Sequence, residues 1–217
     1  MLHRPVIVVK AWRFRIADTI SARVYLQRPA MDGNTWEERY RQRKPGMMPE
    51  PARLLRDYEH LLTGGTALDI AAGEGQNGIF LASRGYTVTC VDRSSSAVAL
   101  IRANAAAQGV TIEAVAADVL TYPIPEQAYD VILNFYFLER SLLPAIKAGL
   151  KKGGFLFFET YTIEQQRFNG PHNPVFLLQP NELLNACLDL FILFYHERID
   201  MSGSQPRAVA SLIGQKT

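Results

Sequence analysis

The sequence predicts an α/β fold, a Rossmann-like, doubly wound and mostly parallel seven-stranded sheet with a C-terminal antiparallel strand pair. Strand-like and helix-like segments alternate between residues 66 and 162, which is typical of β-α-β units. The strand-like segments are near-continuous apolar runs, as strands covered on both faces should be. The last two are joined by the short turn "DMSGSQP", so we expect them to pair antiparallel.

Two helices are expected ahead of the sheet. "NTWEERYRQRKPG" begins with capping residues at Asn34 and Thr35 and ends at Pro45 and Gly46. "MPEPARLLRDYEHLLTGG" places leucines at helical spacing and ends in a glycine pair.

The alternating segments then follow in order. Strands are expected at 66–72, 86–92, 110–118, 129–137, 155–162, 190–199 and 207–216, and helices at 75–85, 94–109, 141–154 and 180–187. Ser94 is a good N-cap for the second of these helices, and Gly109 follows its end. The polar stretch from Ile163 to Leu178 predicts a long loop.

Composition excludes several classes of protein. The 217 residues are 48% hydrophobic and 20% charged, which suits one globular domain. A net charge of +2 gives no strong attraction to nucleic acid or anionic membranes, and no apolar run approaches the ~20 residues of a membrane span. Cys90 and Cys187 match no metal-ligand spacing, so we expect buried thiols, no metal and a cytoplasmic location.

Residues 1–30 differ in composition from the remainder, because they carry six Lys and Arg residues against a single acid. Three interpretations stay open: an Arg-rich targeting segment, a true translation start at Met31, or a packing arm. We expect three regions, namely this basic extension, N-terminal helices at 31–65 and the sheet domain at 66–217.

The segment "LDIAAGEGQNG", Leu68 to Gly78, predicts a strand that ends in glycines and leads into a helix. Gly73, Gly75 and Gly78 satisfy G-x-G-x-x-G, the pattern of a dinucleotide site. Such glycines let a ligand approach the backbone, and the helix N-terminus favours negative charge. Asp69 inside the strand favours a ligand with cationic groups instead, because a carboxylate there would repel a pyrophosphate.

Two further acids follow the next strands. Asp92 ends the second strand, where either type of ligand needs an acid for ribose hydroxyls. Asp118 ends the third strand, where a carboxylate or a flanking amide can bind an adenine amino group. Each acid has a structural alternative as a helix or turn cap. Asn77 is either a plain first-turn residue or a side chain turned back to the glycine loop.

Acids at three successive strand ends resemble the class I S-adenosylmethionine-dependent methyltransferases. The resemblance runs from about Leu61 to the C-terminus, in "LDIAAGEG", "VTCVD", "AADVL", "YDVILNFYFLER" and the antiparallel pair. It implies S-adenosyl-L-methionine as the cofactor, bound by Asp69, Gly73, Gly75, Asn77, Asp92, Arg93, Asp118, Val119 and Asn134. "WEERY", G-x-G-x-N and "RGYTVTCVD" are similar to small-molecule methyltransferases of the tellurite-resistance type. Ala71 stands where the motif usually has glycine, and alanine permits the turn only if its φ is negative.

The resemblance implies in-line methyl transfer to an acceptor that lies beyond the fourth and fifth strands. The residues there are Asn134, Tyr136, Phe137, Glu139, Arg140, Glu159, Thr160, Tyr161, Arg167, His172 and Asn173. Tyr136, Glu159 and His172 are the candidates for a catalytic or positioning role, and Glu159 either has a shifted pKa or pairs with Arg140. The N-terminal helix with Trp36, Arg39 and Tyr40 forms either a lid over the cofactor or a core-packing helix.

"NFYFLER" replaces the Asn/Asp-Pro-Pro-aromatic pattern of nucleic-acid amino methyltransferases. We therefore expect a small-molecule acceptor, no nucleic-acid or membrane partner, and a monomer or homodimer. Two other functions stay open. The literal G-x-G-x-x-G favours an NAD(P)-binding oxidoreductase, and Ala71 favours a non-catalytic protein that binds an adenosyl ligand.

Overall fold

The computed structural model describes residues 33–203 and 205–217, and the expectations for residues 1–30 lie outside the described residues. The strands are β1 (Gly65–Ile70), β2 (Tyr86–Asp92), β3 (Glu113–Ala116), β4 (Tyr129–Phe135), β5 (Leu150–Tyr161), β6 (Phe191–Asp200) and β7 (Arg207–Gln215). The α-helices are α1 (Gly33–Arg41), α2 (Arg53–Asp57), α3 (Gln76–Ala82), α4 (Ser95–Ala107), α5 (Leu143–Gly149) and α6 (Glu182–Ala186). Short 3-10 helices lie at 59–61, 140–142, 163–167 and 174–176.

The strand order confirms the predicted fold class. The seven strands of the described chain lie in the order β3-β2-β1-β4-β5-β7-β6. The first five in this order are parallel, whereas β7 is antiparallel to both β5 and β6. The chain reverses its direction of growth between β1 and β4, and ligands of such sheets bind at the carboxyl ends of the strands near this point.

The core lies on both faces of the sheet, as the apolar strands predicted. On one face, α5 and α6 contribute Leu143, Ile146 and Leu183 to a buried cluster. On the other face, α2, α3 and α4 contribute Leu55, Leu81 and Ile101, among others, to a second cluster. Burying one such side chain contributes about 1.5–3 kcal/mol, so the two clusters fix the sheet that carries the site.

The predicted helix at 141–154 is wrong from residue 150 onward. Helix α5 ends at Gly149. Leu150 already belongs to β5, where it pairs with Tyr129 of β4. The glycines of "KKGG" join the sheet instead, because Gly153 N–H donates to the Lys216 carbonyl at 2.8 Å. The cause is pairing with the distant C-terminal strand, which the local sequence does not reveal.

The second N-terminal helix is also shorter than predicted. Helix α2 ends at Asp57 and is followed by the 3-10 turn at 59–61. Between them, the Tyr58 ring packs on Phe194 of β6, with 5.1 Å between the ring centroids.

No helix in the described part of the chain has both the length and the apolar character needed to cross a bilayer. The same residues hold no group of three or more His, Cys, Asp or Glu side chains arranged to bind a metal ion.

The turn after β1 corrects one expectation. Ala71 has a φ of 52°, whereas the turn was expected to need a negative value. Hydrogen bonds beyond it fix the chain path, because Ala72 N–H donates to the Val91 carbonyl at 3.1 Å and Gly75 N–H donates to the Ala72 carbonyl at 2.9 Å. A residue other than glycine in the left-handed conformation costs about 1–2 kcal/mol of folding free energy, so Ala71 is strained at this turn.

Replacing Ala71 with glycine should stabilise the protein, since glycine adopts a positive φ without steric cost. The greater freedom of glycine in the unfolded chain offsets part of the gain, so we expect the free energy of unfolding to rise by about 0.5–1 kcal/mol. Urea denaturation measures this change. Ala72→Gly is the matched control and should be destabilising, because Ala72 has no positive φ to relieve. Destabilisation by Ala71→Gly would contradict the account.

Candidate cofactor and acceptor site

A carboxylate at the end of β2 holds the turn that follows β1. Asp92 Oδ2 accepts a hydrogen bond from Gly73 N–H at 2.9 Å, and Oδ1 accepts one from Ser94 N–H at 2.9 Å. The Asp92 side chain is 6% exposed, and burial raises its pKa. Each carboxylate oxygen has a further lone pair, so Asp92 keeps the capacity to accept from two more donors, such as ribose hydroxyls.

Glycine is required at two positions around this turn because of close neighbours. Gly73 has a φ of 57°, and a Cβ there would lie 2.9 Å from the hydroxyl oxygen of Tyr40 in α1. A Cβ at Gly78 would overlap the Sγ atom of Cys90 in β2. The first glycine therefore leaves room for the Tyr40 hydroxyl, and the second lets α3 pack closely on the sheet.

Asp69 lies beneath the turn. Its side chain is 1% exposed, and Oδ2 accepts a hydrogen bond from Gly78 N–H at 3.0 Å in the first turn of α3. Burial raises the pKa of Asp69 to about 7, and repulsion by Asp92 adds to the rise. The carboxylate thus supports the start of α3, and its predicted contact with a cationic ligand stays a prediction.

Asn77 has a third role that neither expectation anticipated. Its side-chain oxygen accepts a hydrogen bond from Ala52 N–H at 2.8 Å, which joins α3 to the segment before α2. Asn134 is 1% exposed, and its Nδ2 donates to the Phe137 carbonyl at 2.8 Å, so it shapes the turn after β4.

The predicted adenine-side residues follow β2 and β3. Asp118 is exposed, and its Oδ1 accepts from Leu120 N–H at 3.0 Å, which is the turn-capping alternative. Val119 is buried and Arg93 is exposed. The contacts of these three residues with a cofactor stay predictions.

Sequence reasoning missed Gln76, the residue after Gly75. Its Oε1 is buried and has no hydrogen-bond partner within the described chain. A buried acceptor without a donor costs about 1–3 kcal/mol, so a ligand that brings an N–H or O–H would relieve this cost.

Helix α1 is fastened across the turn through Glu37. Its carboxylate accepts from the hydroxyls of Ser94 at 2.6 Å, Ser95 at 3.1 Å and Ser96 at 2.6 Å, and from Ser96 N–H at 3.3 Å. These bonds lower the pKa of Glu37 to about 2, chiefly through Ser94. Ser94 is also the N-cap of α4, as predicted, since its Oγ accepts from Ala97 N–H at 3.0 Å.

The acceptor candidates meet at the carboxyl ends of β4 and β5. Tyr136 has a φ of 57°, unusual for a bulky residue, and its hydroxyl donates to Glu159 Oε1 at 2.8 Å. Glu159 is 4% exposed, and its Oε2 accepts from the Ser211 hydroxyl at 2.6 Å and from Arg198 Nη2 at 3.3 Å. The expected alternative pairing with Arg140 is wrong, because Arg140 instead binds Glu182 through Nε and Oε1 at 2.5 Å.

Neither Tyr136 nor Glu159 offers a free base. Burial and the Glu159 charge raise the pKa of Tyr136 far above its usual range, so the phenol stays protonated at neutral pH. Both oxygens of Glu159 already accept hydrogen bonds. His172 is exposed, and its Nε2 accepts locally from Gly170 N–H at 3.2 Å, so its described contacts do not join this cluster.

The raised pKa of Asp69 predicts a pH dependence of stability. The pKa of Asp69 is about 7 in the folded protein, above the ordinary 3.8. The protonated acid therefore contributes its whole share to the free energy of unfolding below about pH 4, and this share is lost as pH rises through about 7. Asp69→Asn cannot titrate and keeps an oxygen for Gly78 N–H. Between these values the wild type should lose free energy of unfolding relative to this variant, by at most about 1.4 kcal/mol per pH unit.

Urea denaturation at several pH values measures that difference. Asp57→Asn is the control, because Asp57 is exposed on α2 and pairs there with Arg53. Parallel stability curves for wild type and Asp69→Asn would contradict a neutral, buried Asp69.

Comparison with known proteins gives one family-model match and several similar proteins. Residues 67–154 match a family model described as a methyltransferase domain. Hemagglutinin 1 of Eikenella corrodens is 30% identical over 142 residues, covering 62% of this chain and 46% of that protein. Ubiquinone biosynthesis O-methyltransferase of Paraburkholderia xenovorans (strain LB400) is 30% identical over 144 residues, covering 56% of this chain and 62% of that protein. The structure of TehB from Haemophilus influenzae is similar with a TM-score of 0.64 and 22% identity, over 75% of this chain and 61% of that one.

The chain thus spans less than two thirds of the length of each of these three proteins. The matched domain covers β1 to the start of β5, which includes the glycine turn and Asp92. The likeness to TehB shows a shared fold. Residues 67–154 are thus similar to a methyltransferase domain, and the strand order agrees with the fold of TehB.

Proposed function

We propose that this protein transfers a methyl group from S-adenosyl-L-methionine to a small-molecule acceptor by in-line displacement. One observation carries the proposal: the buried Asp92 carboxylate has spare accepting capacity beside a glycine turn, at the point where the sheet reverses its growth. Ribose hydroxyls match that capacity, and a carboxylate binds them with charge-assisted hydrogen bonds.

The residues around the turn would hold the remaining parts of the cofactor. Gln76 Oε1 would accept from the ammonium of the methionine part, and the chain of that part would run past the Gly73 backbone beside the Tyr40 hydroxyl. Helix α1, fastened by Glu37, would exclude water from above. S-adenosyl-L-methionine supplies an electrophilic methyl group on a sulfonium whose leaving group departs neutral, so the protein needs no general acid.

The contribution of the protein to the rate is then alignment of the acceptor. Holding two reactants in line supplies about 7–11 kcal/mol of a barrier. The protonated Tyr136 and Glu159, whose carboxylate is paired with Arg198, position the acceptor and do not remove a proton from it. An acceptor atom that is already nucleophilic at neutral pH, such as a thiol, a selenol or a metalloid oxyanion, suits such a site.

An NAD(P)-binding oxidoreductase is less well supported by the same residues. The literal G-x-G-x-x-G is compatible with a pyrophosphate at the start of α3. The Asp92 carboxylate opposes such a ligand, because it lies beside the turn and binds Gly73 N–H, where a pyrophosphate would approach. The orphaned acceptor of Gln76 also favours a ligand that brings donors.

Asp92→Ala should weaken binding of S-adenosylhomocysteine by about 1.5–3 kcal/mol, the range for losing a charged hydrogen-bond partner. It should also lower the free energy of unfolding by about 1–3 kcal/mol, since Gly73 N–H and Ser94 N–H lose their acceptor. Titration calorimetry at a temperature where the variant is folded measures the first effect. Asp57→Ala is the control. An unchanged dissociation constant for folded Asp92→Ala would mean that Asp92 only accepts from backbone N–H groups and does not bind the cofactor.

A product screen tests the activity itself. Purified protein receives methyl-labelled cofactor and a panel of thiols, selenite, tellurite, carboxylic acids, amines and phenols. We expect label on an acceptor that is nucleophilic without a base, and a maximal rate for His172→Ala within about tenfold of wild type.

A general base contributes ~10²–10⁴-fold, so a loss of that size in His172→Ala would contradict a base-free site. His60→Ala is the matched control, because His60 is also exposed and belongs to the 3-10 turn after α2. Cofactor binding without label on any acceptor would favour a non-catalytic binding protein.

A further inference from the structure

We propose that the acceptor is an organic acid with a planar apolar body, whose carboxylate is anchored by Arg207. The inference rests on the proposed function and names the substrate class of the same site. It concerns the anchoring group of the acceptor and not the atom that receives the methyl group. Arg207 was not among the candidates that the sequence suggested.

Arg207 lies at the edge of the sheet where the acceptor must meet the methyl group. It opens β7, which runs antiparallel to β5, so it reaches the carboxyl end of β5. Its Nη1 donates to the Tyr136 hydroxyl at 3.0 Å, and its guanidinium carbon lies 5.7 Å from the centre of the Tyr136 ring. The guanidinium therefore borders the strained tyrosine that follows β4.

The guanidinium of Arg207 has an unused donor. Its Nε is buried and has no hydrogen-bond partner within the described residues, although its side chain as a whole is 35% exposed. A guanidinium presents its N–H groups in a fork that matches the two oxygens of a carboxylate. A carboxylate on this fork would satisfy Nε, which the protein alone leaves unpaired.

Nη2, the donor next to Nε in that fork, donates a hydrogen bond to Asp200 Oδ2 at 3.0 Å. The other Asp200 oxygen accepts from Ser202 N–H at 2.9 Å and from the Ser202 hydroxyl at 2.6 Å. Asp200 thus keeps two partners if a ligand carboxylate takes its place on Arg207. The exchange keeps Arg207 paired with a carboxylate, while Asp200 gives up this ion pair and stays bound to Ser202.

The charges around the cluster favour an anion. Arg39 of α1 and Arg207 both act on the Tyr161 phenol, where their charges oppose the rise in its pKa that burial causes. On the other side, Arg198 already neutralises Glu159, to which it lies 3.3 Å away. A negatively charged acceptor near Tyr161 would therefore be attracted by Arg207 and Arg39.

The aromatic rings explain why the anion should be an organic acid. Tyr136 and Tyr161 have ring centroids 5.2 Å apart with a 43° angle between their planes. Tyr136 is 39% exposed, so part of its ring is open to a ligand. A planar apolar body would cover this surface, whereas a bare inorganic oxyanion would leave it in water.

Binding of phenylacetate and phenylacetamide to the full chain tests the inference. The two probes share size and ring and differ in charge. Calorimetry in saturating S-adenosylhomocysteine should give about tenfold or more tighter binding of phenylacetate, from charge-assisted hydrogen bonds. Arg207→Gln should remove this preference, Arg207→Lys should keep part of it, and Arg56→Gln on α2 should keep all of it.

The binding of S-adenosylhomocysteine separates the two proposals. If the protein binds S-adenosylhomocysteine but neither probe, or both probes equally, the anchor is refuted and the proposed function stands. If S-adenosylhomocysteine does not bind, the proposed function is refuted, and the comparison of the two probes on the ligand-free protein still decides the anchor. A phenylacetate preference that survives in folded Arg207→Gln, or tighter binding of selenite than of phenylacetate, would also overturn the inference.

Discussion

The site depends on the two hydrogen bonds that the Asp92 carboxylate accepts from Gly73 and Ser94. They tie the turn after β1 to the turn after β2, and α3 and α4 begin within a few residues of them. The carboxylate is buried, so its charge is supported by these N–H groups and by whatever ligand brings further donors. Helix α1 is then held on the same framework, because Glu37 binds the three serines that open α4.

The two halves of the proposed site are built in different ways. The proposed cofactor half consists mainly of backbone, with glycines that allow close packing and with acids that accept from N–H groups. The acceptor half consists of side chains from three strands, arranged around Glu159, which binds Tyr136, Ser211 and Arg198. Substitutions in the second half can change the acceptor without disturbing the turn, and this separation suits a fold that serves many substrates.

The sequence predicted those features that depend on neighbours along the chain. The alternation of strands and helices, the end of β2 at Asp92 and the Ser94 cap all follow from local pattern and capping chemistry. The left-handed Ala71 was missed, because its conformation is imposed by a hydrogen bond between its neighbour and Val91 of another strand. The early start of β5 was missed for a similar reason, since its partner lies at the chain end.

The missed site residues share long separations from their partners. Glu37 binds a serine 57 residues away, Arg198 binds Glu159 across 39 residues, and Arg207 reaches Tyr136 across 71 residues. Only the fold brings these charges together, and a single sequence carries no record of which pairs meet. The run of three serines at the start of α4 was one available signal, because a cluster of hydroxyl donors at a helix start favours an acceptor such as Glu37.

The central claim is that the glycine turn and Asp92 hold an S-adenosyl ligand. Titration calorimetry of the purified protein with S-adenosylmethionine, S-adenosylhomocysteine, NAD and NADP tests it most directly. The account predicts saturable binding of the first two at one site per chain and no measurable heat from the nicotinamide nucleotides. Tight binding of NAD or NADP with no response to S-adenosylhomocysteine would contradict it.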